Sequence, residues 1–284
     1  MEKSSKARKV AVITGGSQGI GRAMASEFAK AGYSTVILAR TENDVKRAAE
    51  EISENGACEG MALDVSSPGM AEEVLAGIVE KHGRVDALVC CAGIYGPMGV
   101  LEENDPAAWK QAIDINLCGT AYSVRAAIPH MKRQGFGRII AMAGGGVGGN
   151  NVKPNLSAYT TSKFAVCGFV EAISSELAGS GVTINAISPG AVNTRMLEQV
   201  LVAGEKAGKK FLEASKAQKE NGGTPPGLAA KMALYLAGES AGHISGRVIS
   251  AVWEKPEALA ALGGKSKSLY TLRRIDEVLF KESR

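Results

Sequence analysis

Tyr159 and Lys163 stand four positions apart in the stretch Ser157-Ala158-Tyr159-Thr160-Thr161-Ser162-Lys163. Apolar residues follow at helical spacing (Phe164, Val166, Phe169, Val170, Ile173, Leu177), so the two side chains share one helix face, one turn apart. An ammonium beside a phenol favours the phenolate and draws its pKa down from about 10. Such a tyrosine can exchange a proton with an alcohol or carbonyl oxygen as a general acid or base. The same pair also suits an ordinary solvated helix, and the elements around it must decide.

Those elements are short apolar runs alternating with longer amphipathic ones, the pattern of a parallel sheet covered by helices. Strands are predicted over 10–14, 34–39, 58–63, 85–91, 138–142, 182–187 and 247–251. Helices are predicted over 20–31, 41–55, 67–82, 105–133, 157–179 and 224–237. Thr41-Glu42-Asn43-Asp44 has the form of a capping box, and Ser67-Pro68, Asp105-Pro106 and Thr224-Pro225 read as caps followed by proline. The span 194–223 carries no strand signal and reads as partly helical. The expected fold is α/β, a doubly wound (Rossmann-type) sheet of seven parallel strands in the order 3-2-1-4-5-6-7. No repeat or linker marks a second domain, which leaves residues 1–251 as one domain and 252–284 as a C-terminal extension. In that extension Leu272, Ile275 and Leu279 could form one short helical face.

Composition narrows the class. Of 284 residues 45% are hydrophobic and 22% charged, ordinary for a globular chain with a full core. The net charge of +4 is small and dispersed, with no basic block interleaved with aromatics, so a nucleic-acid partner is not expected. Five cysteines (Cys58, Cys90, Cys91, Cys118, Cys167) lie mostly in apolar runs and read as reduced core thiols. His82, His130 and His243 have no metal-ligand spacing, and no metal is expected. The basic start precedes only Val10-Ala11-Val12-Ile13, too short for a signal peptide, and no run reaches membrane-spanning length. A soluble, cytoplasmic protein is expected.

Thr14-Gly15-Gly16-Ser17-Gln18-Gly19-Ile20-Gly21 lies between the first strand and first helix. Glycines there let the backbone approach a pyrophosphate, which a helix N-terminus then favours. The spacing is G-x-x-x-G-x-G and departs from the G-x-G-x-x-G dinucleotide pattern. The second strand ends Leu38-Ala39-Arg40, where an acidic residue would normally meet the ribose hydroxyls. A guanidinium in its place favours a 2′-phosphate, hence NADP(H) over NAD(H).

Taken together, these motifs resemble the short-chain dehydrogenase/reductase family from about Lys9 to Ala251. The glycine turn is followed by Asp64-Val65, Cys91-Ala92-Gly93, Asn116, the pair Tyr159 and Lys163, then Pro189-Gly190, Val192 and Thr194. The resemblance implies that Gly15, Ser17, Gln18, Gly19, Ile20, Gly21, Arg40, Asp64, Val65, Cys91, Ala92, Gly93, Pro189, Gly190, Val192 and Thr194 bind the cofactor. It implies that Asp64 holds the adenine and that Thr194 contacts the nicotinamide carboxamide. It further implies that Asn116 anchors a proton relay, and that Lys163 binds the nicotinamide ribose and lowers the pKa of Tyr159. Tyr159 exchanges the proton in this scheme. Met196, Leu197, Val200 and Leu201 resemble a mobile substrate lid over about 194–224. Family members form homotetramers or homodimers through the helices that correspond to 104–133 and 157–179.

Two departures stand out. Cys90-Cys91 replaces the usual pair of asparagines, which cysteine is small enough to tolerate. The family's serine, which hydrogen-bonds the reacting oxygen, falls at Ala143 or, in a shifted alignment, Gly144, and neither bears a hydroxyl. Asn150, Asn151 and Ser157 are the nearby polar candidates to replace it. The expected function is NADP(H)-dependent hydride transfer between nicotinamide and a carbonyl or secondary alcohol, with NAD possible. The alternative is a cofactor-binding protein of this family with little catalysis, through natural or inactivating loss of the serine. The tail Leu269-Tyr270-Thr271-Leu272-Arg273-Arg274 is similar to extensions associated with sugar or sugar-nucleotide metabolism, which makes a sugar or sugar nucleotide one implied substrate.

Overall fold

Each apolar run becomes a strand: β1 (Val10–Thr14), β2 (Ser34–Ala39), β3 (Cys58–Ala62), β4 (Ala87–Cys90), β5 (Gly137–Met142), β6 (Val182–Ser188) and β7 (Val248–Ser250). The computed structural model describes residues 8–147, 152–260 and 271–272. All pairings are parallel, and the order β3-β2-β1-β4-β5-β6-β7 is the expected one. Alternate residues of a strand face opposite sides. In β1, Ala11 and Ile13 enter one core with Met24, Phe28, Ile37 and Leu236, while Val10 and Val12 enter the other with Leu75, Leu88, Met131 and Val166. Two apolar faces per strand require helices on both sides, and the fold supplies them.

The helices are α1 (Gly19–Lys30), α2 (Glu42–Ser53), α3 (Pro68–His82), α4 (Pro106–Ile113), α5 (Gly119–Arg133), α6 (Ser157–Glu176), α7 (Arg195–Ala203), α8 (Lys209–Asn221), α9 (Pro226–Leu236) and α10 (Pro256–Ala260). Of the expected caps only Asp105 acts through its side chain, accepting from the N–H groups of Ala107 (3.0 Å) and Ala108 (3.3 Å). Thr41 and Ser67 occupy cap positions without a side-chain hydrogen bond, and Pro225 rather than Thr224 precedes α9. The long helix expected over 105–133 is interrupted by a π-helical turn at Asp114–Cys118. Apolar periodicity does not register one extra residue in a turn, and such turns gather at functional sites. The span 194–223 folds as α7, a 3₁₀ turn (Gly204–Ala207) and α8.

Strand order reverses direction between β1 and β4. Their C-terminal ends, Thr14 and Cys90, are register partners, and the crevice of such a sheet opens beyond that point. No helix among the described residues is long and apolar enough to cross a membrane. Of the extension, Leu272 packs on the second core, whereas Arg273, Arg274, Ile275 and Leu279 lie outside the described residues.

Candidate active site

The glycine turn is built by close approach. Gly15 has φ +67°, and a Cβ on it would stand 2.8 Å from the Ala92 backbone, so only glycine fits between the ends of β1 and β4. Thr14 joins the same strands, its hydroxyl oxygen accepting from the N–H groups of Cys91 (3.1 Å) and Ala92 (3.2 Å). The stretch Cys91-Ala92 is thus held through its backbone, which explains how cysteine stands in for asparagine there. Helix α1 begins with no side-chain cap and no acidic residue in its first turn, so its leading N–H groups suit an anion.

Beyond the turn lies a cleft of about 540 Å³ that includes Gly15, Ser17, Gln18, Arg40, Asp64, Val65, Ala92 and Gly93. Arg22 and Arg47, at its edge, are paired with Glu51 and Asp44. Arg40 is exposed and forms no ion pair among the described residues. Its charge helps hold the Asp64 carboxyl below its ordinary value, after the hydrogen bond from the Ser66 hydroxyl (2.7 Å). Arg195 and Met196 close the cleft from the start of α7. Thr194 caps that helix by accepting from the Met196 N–H (3.2 Å), with its methyl on Gly19. Gly21 and Val192 are buried, and Gly190 abuts Val252 and Thr224. Of the residues expected to bind the cofactor, Gly19, Ile20, Gly21, Cys91, Pro189, Gly190, Val192 and Thr194 are not part of the cleft lining.

At the floor, three predicted residues meet. A Cβ on Gly93 would lie 3.1 Å from Asn116 Oδ1 and 3.6 Å from Lys163 Nζ. Asn116 is fully buried in the π-helical turn. Its amide donates to the Ile94 carbonyl (2.8 Å) and Ser162 Oγ (2.9 Å), and its Oδ1 accepts from the Ile94 N–H (2.8 Å). The π turn rotates Asn116 into this clamp, which fixes the chain just after Gly93. Lys163 is 5% exposed, and its ammonium donates to the Met142 carbonyl at 3.1 Å.

The ammonium lies 5.8 Å from the centroid of the Tyr159 ring and is not among the influences on the phenol pKa, whose direction is up and not the expected lowering. Burial pushes the Tyr159 phenol up, with the nearby Tyr95 and Cys91 adding to it. Burial likewise pushes Lys163 down, against the pull of Cys91, Cys167 and Cys90. Desolvation penalises the charged form of both groups and is the largest cause of each shift.

The two candidates for the serine position separate cleanly. Ala143 is 2% exposed and packs in the core with Ala141, Ile139 and Val166. Gly144 faces the site: a Cβ there would stand 2.8 Å from Tyr159 Oη. Ser157 Oγ accepts from Trp109 Nε1 (3.1 Å), and Asn150 and Asn151 lie outside the described residues. Sequence reasoning passed over Tyr95, whose ring packs on Tyr159 with centroids 4.7 Å apart and planes at 61°. On its other side stands Phe211 of α8, 6.4 Å away. A lone tyrosine after the fourth strand carries no spacing signal that could have singled it out.

A crevice at a strand-order reversal, a glycine turn against a helix start, Asn116 and Lys163 behind Gly93 and Tyr159 beside Gly144 are the arrangement of an α/β protein suited to a nucleotide. Comparison gives the particular family: a profile described as short chain dehydrogenase matches residues 9–203, and the chain belongs to that family. It is 35% identical over 245 residues to the short-chain reductase protein NovJ of Streptomyces niveus, covering 84% of this chain and 91% of that one. It is 31% identical over 266 residues to a D-beta-hydroxybutyrate dehydrogenase of Rhizobium meliloti, covering 85% and 96%. Among solved structures, a variant actinorhodin polyketide ketoreductase with NADPH superposes with a TM-score of 0.78 at 29% identity, covering 86% of this chain and 95% of that one. Among the described residues no group of three or more His, Cys, Asp or Glu could hold a metal.

Proposed function

We propose that this oxidoreductase uses NADP(H) to reduce a carbonyl to a secondary alcohol, with Tyr159 as proton donor. The observation that carries the reading is that Asn116 and Lys163 stand behind Gly93 of the cleft lining, while Tyr159 Oη faces Gly144 close by Lys163. The cleft fits a dinucleotide: glycine admits backbone approach, the open start of α1 suits a pyrophosphate, and the Arg40 cation stands where a 2′-phosphate belongs. Asp64 and Val65 would hold the adenine, Lys163 the ribose next to the nicotinamide, and Ala92 and Gly93 the cleft wall. When bound, the nicotinamide supplies or accepts the hydride.

The chain's own contribution is protonic. Because burial raises the Tyr159 phenol, it stays protonated at neutral pH, the state needed to give a proton to a carbonyl oxygen. Residues 194–224 act as a substrate lid, since α7 reaches the cleft and Phe211 of α8 reaches the ring of Tyr95. A second reading, cofactor binding with little catalysis, rests on the bare Cα of Gly144 beside Tyr159. One experiment separates them: following NADPH absorbance over a panel of aliphatic, aromatic and sugar-derived ketones. The reductase reading requires turnover of at least one ketone and its loss in Tyr159→Phe. NADPH binding without turnover on any ketone supports the second reading.

A further inference from the structure

Tyr159 faces Gly144, so β5 ends without a side chain that could hydrogen-bond the reacting oxygen. Next to it, Tyr95 brings a second phenol to the same place. Its backbone follows directly on Ile94, whose N–H and carbonyl are both clamped by Asn116 at 2.8 Å. Its ring is wedged between Tyr159 and Phe211, at 4.7 Å and 6.4 Å between centroids. Its hydroxyl has no hydrogen-bond partner among the described residues, and neither has that of Tyr159. Two phenols with rings in edge contact bring two hydroxyl donors into one neighbourhood.

We infer that Tyr95 is a catalytic residue, the hydrogen-bond donor to the substrate carbonyl oxygen in place of the family's serine. This rests on the reductase reading above. During reduction the carbonyl carbon gains a hydride with its electron pair, and the C=O π pair moves onto oxygen. Tyr159 transfers its proton to that oxygen, while Tyr95 donates a hydrogen bond and keeps its proton throughout. The hydride would come from NADPH, leaving NADP⁺ and an alcohol, and the Tyr159 phenolate would regain its proton from solvent, so electrons and protons balance. Burial raises the Tyr95 phenol as well, so it is a neutral donor across the physiological range. The contact with Phe211 packs this donor against α8.

Tyr95→Phe tests this, because it keeps the ring and deletes only the hydroxyl. With a ketone found by the NADPH panel, kcat should fall about 10²-fold, the usual cost of one preorganised donor. NADPH affinity by fluorescence and the melting temperature should stay at parent values, and the ketone KM should change far less than kcat. An unchanged kcat overturns the assignment. A fall that comes with weaker NADPH binding or a lower melting temperature also overturns it, since lost packing would then suffice. Tyr159→Phe, measured alongside, separates the two levels. If Tyr159→Phe is inactive and Tyr95→Phe fully active, only the role of Tyr95 fails. If no ketone is turned over by the parent, or Tyr159→Phe keeps full activity, the reductase reading fails and this inference falls with it.

Discussion

The proposed cofactor preference and proton donor each rest on a single side chain. Arg40 lines the cleft with no carboxylate at Ala39 to repel a 2′-phosphate. NADPH should therefore bind at least tenfold more tightly than NADH, about 1.4 kcal/mol, within reach of one charge-assisted contact. Calorimetric titration should show that preference vanish in Arg40→Ala. At the serine position the two candidates should behave differently. Ala143→Ser places a hydroxyl in an apolar core and should cost about 1–3 kcal/mol in urea melts, with no gain in turnover. Gly144→Ala puts a methyl 2.8 Å from the present position of Tyr159 Oη. The displaced phenol should lower kcat by about 10²-fold at little cost in stability. Burial raises the Cys167 thiol from 9.0 to about 12. Its folded pKa is the higher one, so the native thiol keeps its proton where the unfolded one releases it. That stabilisation is complete below about pH 9 and is lost as pH rises toward about 12, at about 1.4 kcal/mol per pH unit. Cys167→Ala should flatten the alkaline fall in stability by that slope.

Among the elements, caps and the π turn separate what looks equivalent in sequence. Asp105 and Ser67 both precede a proline-started helix, yet only Asp105 accepts hydrogen bonds from the first turn. Asp105→Ala should cost about 0.5–2 kcal/mol and Ser67→Ala much less, by denaturant unfolding of each variant. The π turn places Asn116 where one side chain closes the end of β4 and reaches Ser162 on α6. It thereby ties the loop that carries Tyr95 to the helix that carries Tyr159. The extra residue in one turn is the local cost of that link, since π geometry is poorer than α.

At the scale of the molecule, the outer helices carry apolar side chains that the core covers only in part. Tyr122 and Ile128 on α5 and Phe164 and Phe169 on α6 are only half-buried. We infer that these helices pair copies of the chain into a homodimer or homotetramer. Light scattering at micromolar concentration should return two or four times 29.4 kDa; a single-chain mass would count against it. Surface of this kind stays marginal in a monomer and is stabilised by burial against another copy.

The sequence by itself determined the strands, their parallel order, the glycine turn and the Tyr159–Lys163 spacing. Each is a local pattern: apolar runs bounded by turns, a two-residue alternation that puts Ile13 and Val12 on opposite faces, an i,i+4 step on a helix. Even the reversal of strand order was legible, through the family resemblance that those motifs carry. Contacts between distant segments were not. Nothing local tells that Gly144, rather than Ala143, faces the Tyr159 hydroxyl, because the chain leaving a strand can turn to either side. Nor does spacing reveal that Tyr95 meets Tyr159, 64 positions later in the chain. The direction of the Tyr159 shift was misread for the same reason. A neighbouring ammonium is visible in a helix pattern, whereas the burial that raises the phenol is a property of everything packed around the pair.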